Sequence, residues 1–120
     1  MDITPLIPAD RQIIQAYGNG RFRVNGALFD EPIIVFPERT IPWPGAGLTV
    51  DAFEPALKAR EVELLLVGCG PRAMLMPSDV RQALRQAGIV LDAMDTGAAC
   101  RTYNVLLAEG RRVAAALMPV

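Results

Sequence analysis

Residues 94–112, MDTGAACRTYNVLLAEGRR, decide the fold of this chain, because they predict a strand end, a tight turn, one amphipathic helix and a glycine stop. Either Asp95 or Thr96 can cap the helix, since each side chain can accept a bond from an unpaired backbone N–H group. Gly110 lies where helices commonly end in the left-handed conformation. At about 100° per residue, the apolar face that must be buried carries Ala99, Cys100, Tyr103, Leu106 and Leu107.

Three apolar segments around this helix predict strands. Residues 63–68, ELLLVG, are apolar after the first position, which is typical of a strand covered on both faces. Residues 89–94 and 113–118 predict the other two strands, and the second of these is expected to be buried. Between the first two strands, residues 78–87 predict a helix with Ser78 as its cap. Strands and helices therefore alternate through the second half of the chain.

The first half of the chain predicts mainly β structure. Residues 13–24 predict a hairpin, because Gly and Asn at 18–20 supply the positive φ values that its turn needs. A second turn then lets residues 27–29 continue a meander, and the apolar residues 33–36 predict a short strand. Residues 51–54, DAFE, resemble a capping box and predict a short helix.

The order of these elements predicts an α/β fold in one domain, residues 1–120. A chain of 120 residues has the length of a single domain with a real core. Residues 1–11 are predicted to be an extended lead-in, because Pro5 and Pro8 are incompatible with a helix. A meander followed by alternating strands and helices predicts a mixed sheet with helices packed on it.

Composition excludes several classes of function. The chain contains no histidine, which excludes Ser-His-Asp and Cys-His nucleophilic schemes within one chain and the usual imidazole metal sites. The formal charge is −1, with acids and bases mixed along the chain, which argues against nucleic acid as the main partner. We therefore expect no cofactor and no metal site.

The two cysteines and the apolar pattern predict a cytoplasmic protein. Cys69 and Cys100 are too few and too far apart for a disulfide framework, so reduced thiols are the simpler interpretation. No apolar run approaches the ~20 residues that a membrane helix needs, so no integral membrane segment is expected. Early acids and prolines in residues 1–11 are not typical of a signal peptide.

Two segments of the chain resemble a known family. The pattern LLLVGCG at 64–70 and MDTGAACRTYNVLLAEGRRVAAAL at 94–117 resembles the small α/β domain family of the mitochondrial NADH dehydrogenase (complex I) assembly factor 3 and its bacterial and archaeal relatives. The resemblance implies a three-layer domain with a mixed central sheet whose last strand runs antiparallel to the others. It also implies a protein-binding assembly role, and it carries over no catalytic residue.

Two turns at the carboxyl ends of neighbouring strands form a candidate crevice, where α/β sheets favour ligands. Small residues in the first turn of the helix could let free N–H groups face an anion, or they could let helix and strand pack tightly. Cys69 could be an accessible thiol or a small buried hydrophobe. Arg101 and Asn104 could contact a ligand, or they could pair with an acid and a loop carbonyl. The candidate residues are Gly68, Cys69, Gly70, Asp95, Thr96, Gly97, Arg101 and Asn104.

A proline- and glycine-rich loop at 37–48 carries the only tryptophan. Trp43, with Ile41 beside it, is a candidate partner surface, because aromatic loop residues are enriched at interfaces. The alternative is that Trp43 folds back over the core. Two functions remain: a non-catalytic interaction or assembly protein, which we favour, and a small-molecule or anion-binding protein or enzyme that uses the crevice.

Overall fold

The computed structural model describes residues 11–43, 48–59 and 61–120. Within these residues the chain forms two sheets and three α-helices. The strands are β1 (Ile14–Gly18), β2 (Arg21–Val24), β3 (Ala27–Phe29), β4 (Ile33–Val35), β5 (Thr40–Pro42), β6 (Leu64–Gly68), β7 (Val90–Met94) and β8 (Val113–Leu117). The helices are α1 (Glu54–Lys58), α2 (Ser78–Gln86) and α3 (Thr96–Ala108), and a 3-10 turn, Asp51–Phe53, precedes α1.

The last strand, β8, lies in the centre of the larger sheet, whose strand order is β5-β4-β8-β6-β7. It pairs with β6 in parallel and with β4 antiparallel. The expectation that the last strand runs antiparallel to the others is therefore wrong. Helix α3 links β7 to β8 as a crossover, and such a crossover returns the chain in a parallel direction. The strand that opposes both of its neighbours is β4.

The two faces of this sheet bury different layers, and β8 shows the division. Its residues Ala114 and Ala116 contact the core on the side of α1 and α2, whereas Val113, Ala115 and Leu117 contact the core under α3. The three-stranded sheet β1-β2-β3 adds Phe22 and Val24 to the α3 side. The α/β class, the mixed sheet with helices packed on it, and the N-terminal meander are confirmed.

The starts of the helices follow the predictions only in part. Asp95 caps α3, because its Oδ1 accepts a hydrogen bond from the Ala98 N–H at 2.9 Å. Ser78 is not the cap of α2, because the helix begins at Ser78 itself. The capping position is occupied by Pro77, and no side chain caps this helix. The capping-box prediction at residues 51–54 is also wrong. The 3-10 turn moves the start of α1 to Glu54, so the Asp51 side chain caps neither element.

Candidate functional site

The carboxyl end of β6 meets the start of α3 at Thr96, which is fully buried. Its hydroxyl donates to the Met118 carbonyl at 2.7 Å and accepts from the Gly70 N–H at 2.8 Å. The Thr96 N–H donates to the Gly70 carbonyl, also at 2.8 Å. One threonine therefore joins the turn after β6, the start of α3 and the end of β8. We call residues 68–70, 95–97 and Met118 the Thr96 junction.

The backbones at the Thr96 junction also approach each other closely. The Cys69 N–H donates to the Met94 carbonyl, and the Met118 N–H donates to the Gly68 carbonyl, both at 2.9 Å. A Cβ atom added to Gly68 would lie 2.9 Å from Leu117 Cδ2 and 3.0 Å from Thr96 Cα. Gly68 therefore leaves little room for a side chain, because a Cβ atom there would press on the Leu117 side chain and on the backbone of Thr96.

Most N–H groups at the start of α3 already have protein acceptors. Thr96 donates to Gly70, Ala98 to the Asp95 side chain, and Ala99 to the Asp95 carbonyl at 3.0 Å. Gly97 is the remaining residue of this first turn. Tyr17 Oη and Arg101 Nη1 lie 2.9 and 3.2 Å from the place where its Cβ atom would be. The two predicted turns do come together, and their contacts are those of tight packing. A ligand-binding role for them stays a prediction.

Arg101 and Asn104 hold the three-stranded sheet against α3. The Asn104 side-chain amide donates to the Ile14 carbonyl at 2.8 Å, and its Oδ1 accepts from the Ile14 N–H at 3.0 Å. Arg101 Nη1 donates to Tyr17 Oη. The alternative to a ligand contact was an acid as partner for Arg101 and a loop carbonyl for Asn104. The observed partners differ: Arg101 bonds to the phenol of Tyr17, and Asn104 bonds to the backbone of Ile14 in β1.

Both thiols lie inside the fold. The Cys69 side chain is 5% exposed, and its Sγ donates to the Val67 carbonyl at 3.7 Å. Burial raises the pKa of the Cys100 thiol to about 12, so this group stays protonated at neutral pH. The interpretation of Cys69 as a small buried group therefore agrees with the structure better than that of an accessible thiol.

Trp43 does not form a surface. Its side chain is 3% exposed and packs against Phe53 with the ring centroids 5.3 Å apart. The prediction of an exposed tryptophan anchor is wrong, and its alternative, a ring folded over the core, describes the structure. Ile41 is half-buried and packs against the same core, because it lies in β5, which pairs with β4 at the edge of the larger sheet.

A groove that the sequence did not reveal lies between α2 and β7. It encloses about 670 Å³ and is lined by Ser78, Arg81, Gln82, Arg85, Gly88, Ile89, Val90 and Leu91. We call it the α2–β7 groove. Arg81 and Arg85 are exposed on successive turns of α2, and neither forms an ion pair with any residue that the structure describes. The i, i+4 spacing of these arginines was visible in the sequence, but the position of β7 beside them was not.

A second cavity, of about 420 Å³, has a charged rim and an apolar floor. The floor includes Phe36, Leu107 and Val113, all of which are buried. On the rim, arginines are matched with glutamates: Arg11 lies 3.6 Å from Glu38, Arg39 lies 4.0 Å from Glu61, and both Arg111 and Arg112 lie 3.4 Å from Glu63. Its lining comes from distant parts of the chain, so local sequence patterns carried no signal for it.

The described part of the chain holds neither a metal-binding cluster nor a membrane-spanning helix. No group of three or more Cys, Asp or Glu side chains there lies together in a way that could hold a metal ion. None of the helices in those residues combines the length and apolarity that crossing a bilayer would demand.

Comparison with known proteins places this fold in a family. A family model described as a protein of unknown function (DUF498/DUF598) matches residues 14–118. An uncharacterised protein of Rhodobacter capsulatus is 38% identical over 107 residues, which are 89% of this chain and 84% of that protein. Human NADH dehydrogenase (ubiquinone) 1 alpha subcomplex assembly factor 3 is 35% identical over 115 residues, which are 92% of this chain and 62% of that protein.

A solved structure gives the same result in three dimensions. The crystal structure of a protein described as an outer membrane protein from Bartonella henselae superimposes with a TM-score of 0.84 and 39% identity, covering 93% of this chain and 98% of that chain. The resemblance carried by residues 64–70 and 94–117 is thus confirmed over nearly the whole sequence. This chain belongs to the DUF498/DUF598 family and is homologous to the complex I assembly factor 3 proteins.

Proposed function

We propose that this chain is a non-catalytic interaction protein that helps to assemble a respiratory NADH dehydrogenase. The observation that carries the proposal is the 35% identity with human assembly factor 3 across 92% of this chain. The match spans 62% of the human protein, so the role of that whole protein is transferred here as a proposal. The partners would be subunits of the enzyme or intermediates of its assembly.

The chemistry of the described residues supports binding rather than catalysis. The chain has no histidine to act as a general base. Cys100 is buried and protonated, and Cys69 is buried with its thiol donating to a carbonyl. The Thr96 hydroxyl, the most buried polar side-chain group of the junction, is engaged by two backbone groups. None of these three groups is available as a nucleophile in this arrangement.

Deleting the gene in the source organism tests the proposal. We expect less assembled NADH dehydrogenase on native gels and lower NADH:quinone oxidoreductase activity in membranes, with both restored by the wild-type chain. The Cys69→Ser chain should restore them equally, because a serine hydroxyl can donate to the same Val67 carbonyl. The ATP synthase serves as the control complex. Full assembly of NADH dehydrogenase without the chain would contradict the proposal.

We also propose that the protein works in the cytoplasm, where its two free thiols would stay reduced. A related solved structure is described as an outer membrane protein, so the compartment needs its own measurement. Cell fractionation with antibodies against this chain should recover it with cytoplasmic markers. Recovery with the outer membrane would contradict this part of the proposal and leave the binding role to be tested separately.

A further inference from the structure

The edge strand β7 leaves part of its backbone unpaired. The Val90 N–H donates to the Glu63 carbonyl, and the Met94 carbonyl accepts from the Cys69 N–H, both at 2.9 Å. Alternate residues of a strand direct their N–H and C=O groups to opposite sides. The groups of Leu91 and Ala93 therefore face away from β6, and no described residue pairs with them. Two donors and two acceptors are thus free along this edge.

The opposite edge of the same sheet is protected. There β5 has three residues and ends at Pro42, which lacks a backbone N–H to donate. Short strands and prolines are the usual means of blocking an added strand. By contrast, β7 has five residues and no proline, and its Val90 side chain is 65% exposed. The edge of β7 is therefore the one that can accept a further strand.

The charges beside β7 select the kind of strand that would be added. Arg81 and Arg85 line the α2–β7 groove together with Val90 and Leu91 of the edge. These arginines have no acidic partner among the described residues. An added strand that turned carboxylates toward α2 would supply that partner in a geometry that arginine favours. Charge complementarity thus favours an acidic segment.

Pairing with a second copy of this chain is disfavoured. An antiparallel pair that used the free groups of both Leu91 and Ala93 would place Asp92 directly opposite Asp92 of the second copy. Directly opposed like charges destabilise a strand pair. Asp92 is exposed and forms no ion pair within the described residues, so nothing there offsets the repulsion.

We propose that β7 docks an extended acidic segment of a partner protein, which adds to the sheet as a sixth strand with its carboxylates against Arg81 and Arg85. The backbone of that segment pairs with Leu91 and Ala93, and its other face places apolar side chains beside Val90. This is strand addition, in which backbone bonds give affinity and alternate side chains give specificity. The inference rests on the proposed binding role and names the surface and the partner chemistry.

The probe is a synthetic nine-residue peptide, acetyl-TEVEVEVET-amide, which alternates acidic and apolar residues. Its binding to the full chain is measured by titration calorimetry and by amide resonances in NMR. We expect saturable binding, with hydrogen exchange slowed at the Leu91 and Ala93 amides and unchanged in β1 and β2. The matched peptide TKVKVKVKT should bind at least about tenfold more weakly, because its charges oppose the arginines.

Two variants test the two halves of the surface. Arg81→Glu combined with Arg85→Glu should weaken binding of the acidic peptide about tenfold or more, whereas Arg23→Glu on the exposed face of β2 should not. Ala93→Pro removes one free N–H group without touching the bonds to β6, because proline is tolerated where the strand faces solvent. It should also weaken binding, and its melting temperature reports whether the fold is kept.

The outcomes separate the inference from the proposed function. Absence of peptide binding, or binding that survives the arginine reversal, overturns the inference. A dimer seen in sedimentation and abolished by Ala93→Pro would also overturn the inference. The same holds if a single-stranded oligonucleotide binds more tightly than the acidic peptide. If peptide binding fails while deletion of the gene still impairs assembly, the function stands and this surface does not. If the peptide binds and assembly is unaffected, the surface stands and the function does not.

Discussion

The two borders of β7, its carboxyl end and its outer edge, differ in how many of their backbone groups form hydrogen bonds within the protein. At the carboxyl end of the strand, the Thr96 junction pairs its polar groups across three elements. Along the outer edge, Leu91 and Ala93 present groups that no described residue pairs. The sequence draws attention to the first region by its glycines, of which Gly68 and Gly97 pack closely against neighbouring elements and Gly70 adopts a positive φ of 91°. The glycines therefore lie in the junction, where elements of the fold contact each other closely. The unpaired edge of β7 contains no glycine.

Thr96→Val is expected to give the largest loss, because valine keeps the shape and removes the hydroxyl. The Gly70 N–H and the Met118 carbonyl would both lose their partner at a buried site. We expect the free energy of unfolding to fall by about 2–4 kcal/mol, measured by urea denaturation. Thr102→Val, on the same helix but half-buried, is the control and should cost much less. Equal effects of the two changes would mean that the junction is not closed by this hydroxyl.

Gly68→Ala should come next, at about 1–3 kcal/mol of lost stability. The new Cβ would lie 3.0 Å from the backbone Cα of Thr96, which cannot move without shifting α3. Gly97→Ala is the contrasting change, because its neighbours are the side-chain ends of Tyr17 and Arg101. Alanine also favours the helix by about 1 kcal/mol over glycine, so Gly97→Ala should be neutral or stabilising. Thermal melts of the two variants measure the difference, and the reverse order would contradict this account of the junction.

Asp95→Ala should cost about 1 kcal/mol, since it removes the side-chain cap of α3. Asp92→Ala is the control on the open border of β7, because that carboxylate is exposed and forms no ion pair with the described residues. Its effect should lie within about 0.5 kcal/mol. Chemical denaturation of both proteins sharpens the contrast between the two borders, and a larger loss from Asp92→Ala would reverse it.

Only a small effect on stability is expected from the arginine reversal in the α2–β7 groove. Arg81→Glu and Arg85→Glu together should change the free energy of unfolding by less than about 1 kcal/mol, because both side chains are exposed. Binding of the acidic peptide should nevertheless weaken about tenfold or more. A melting curve far below that of the wild type would contradict this expectation, because it would show that these arginines support the fold.

The fold could be predicted where the signal is local. The apolar strand at 64–68 and the periodicity of α3 each lie within one short stretch of sequence. The direction of β8 could not be deduced in this way, because it depends on which strands lie beside it. The predicted caps of α1 and α2 are wrong because each helix begins at a different residue from the one expected. A 3-10 turn precedes α1, and Pro77 occupies the capping position of α2.

The position of the candidate site could be predicted from the sequence, and its ligand-binding role stays a prediction. Strand-end geometry brought the turns at 68–70 and 95–97 together as expected. The partners of the Thr96 hydroxyl lie 26 and 22 residues away in the chain, so no local pattern revealed that it is fully engaged. The sequence left both positions of Trp43 open for the same reason, because its ring partner Phe53 belongs to a different part of the chain.

The pairing of Asn104 with Ile14 has a consequence for how the protein opens. The Asn104 side-chain amide forms the two hydrogen bonds with Ile14 of β1 that a neighbouring strand would otherwise form. Within the described residues, no backbone hydrogen-bond ladder joins the two sheets. The three-stranded sheet is built from short-range hairpins, and such units exchange and unfold cooperatively. Transient opening of the molecule is therefore expected to begin with release of this sheet from α3, while the five-stranded sheet stays closed. Limited proteolysis would then cut first between the two sheets, at residues 30–32.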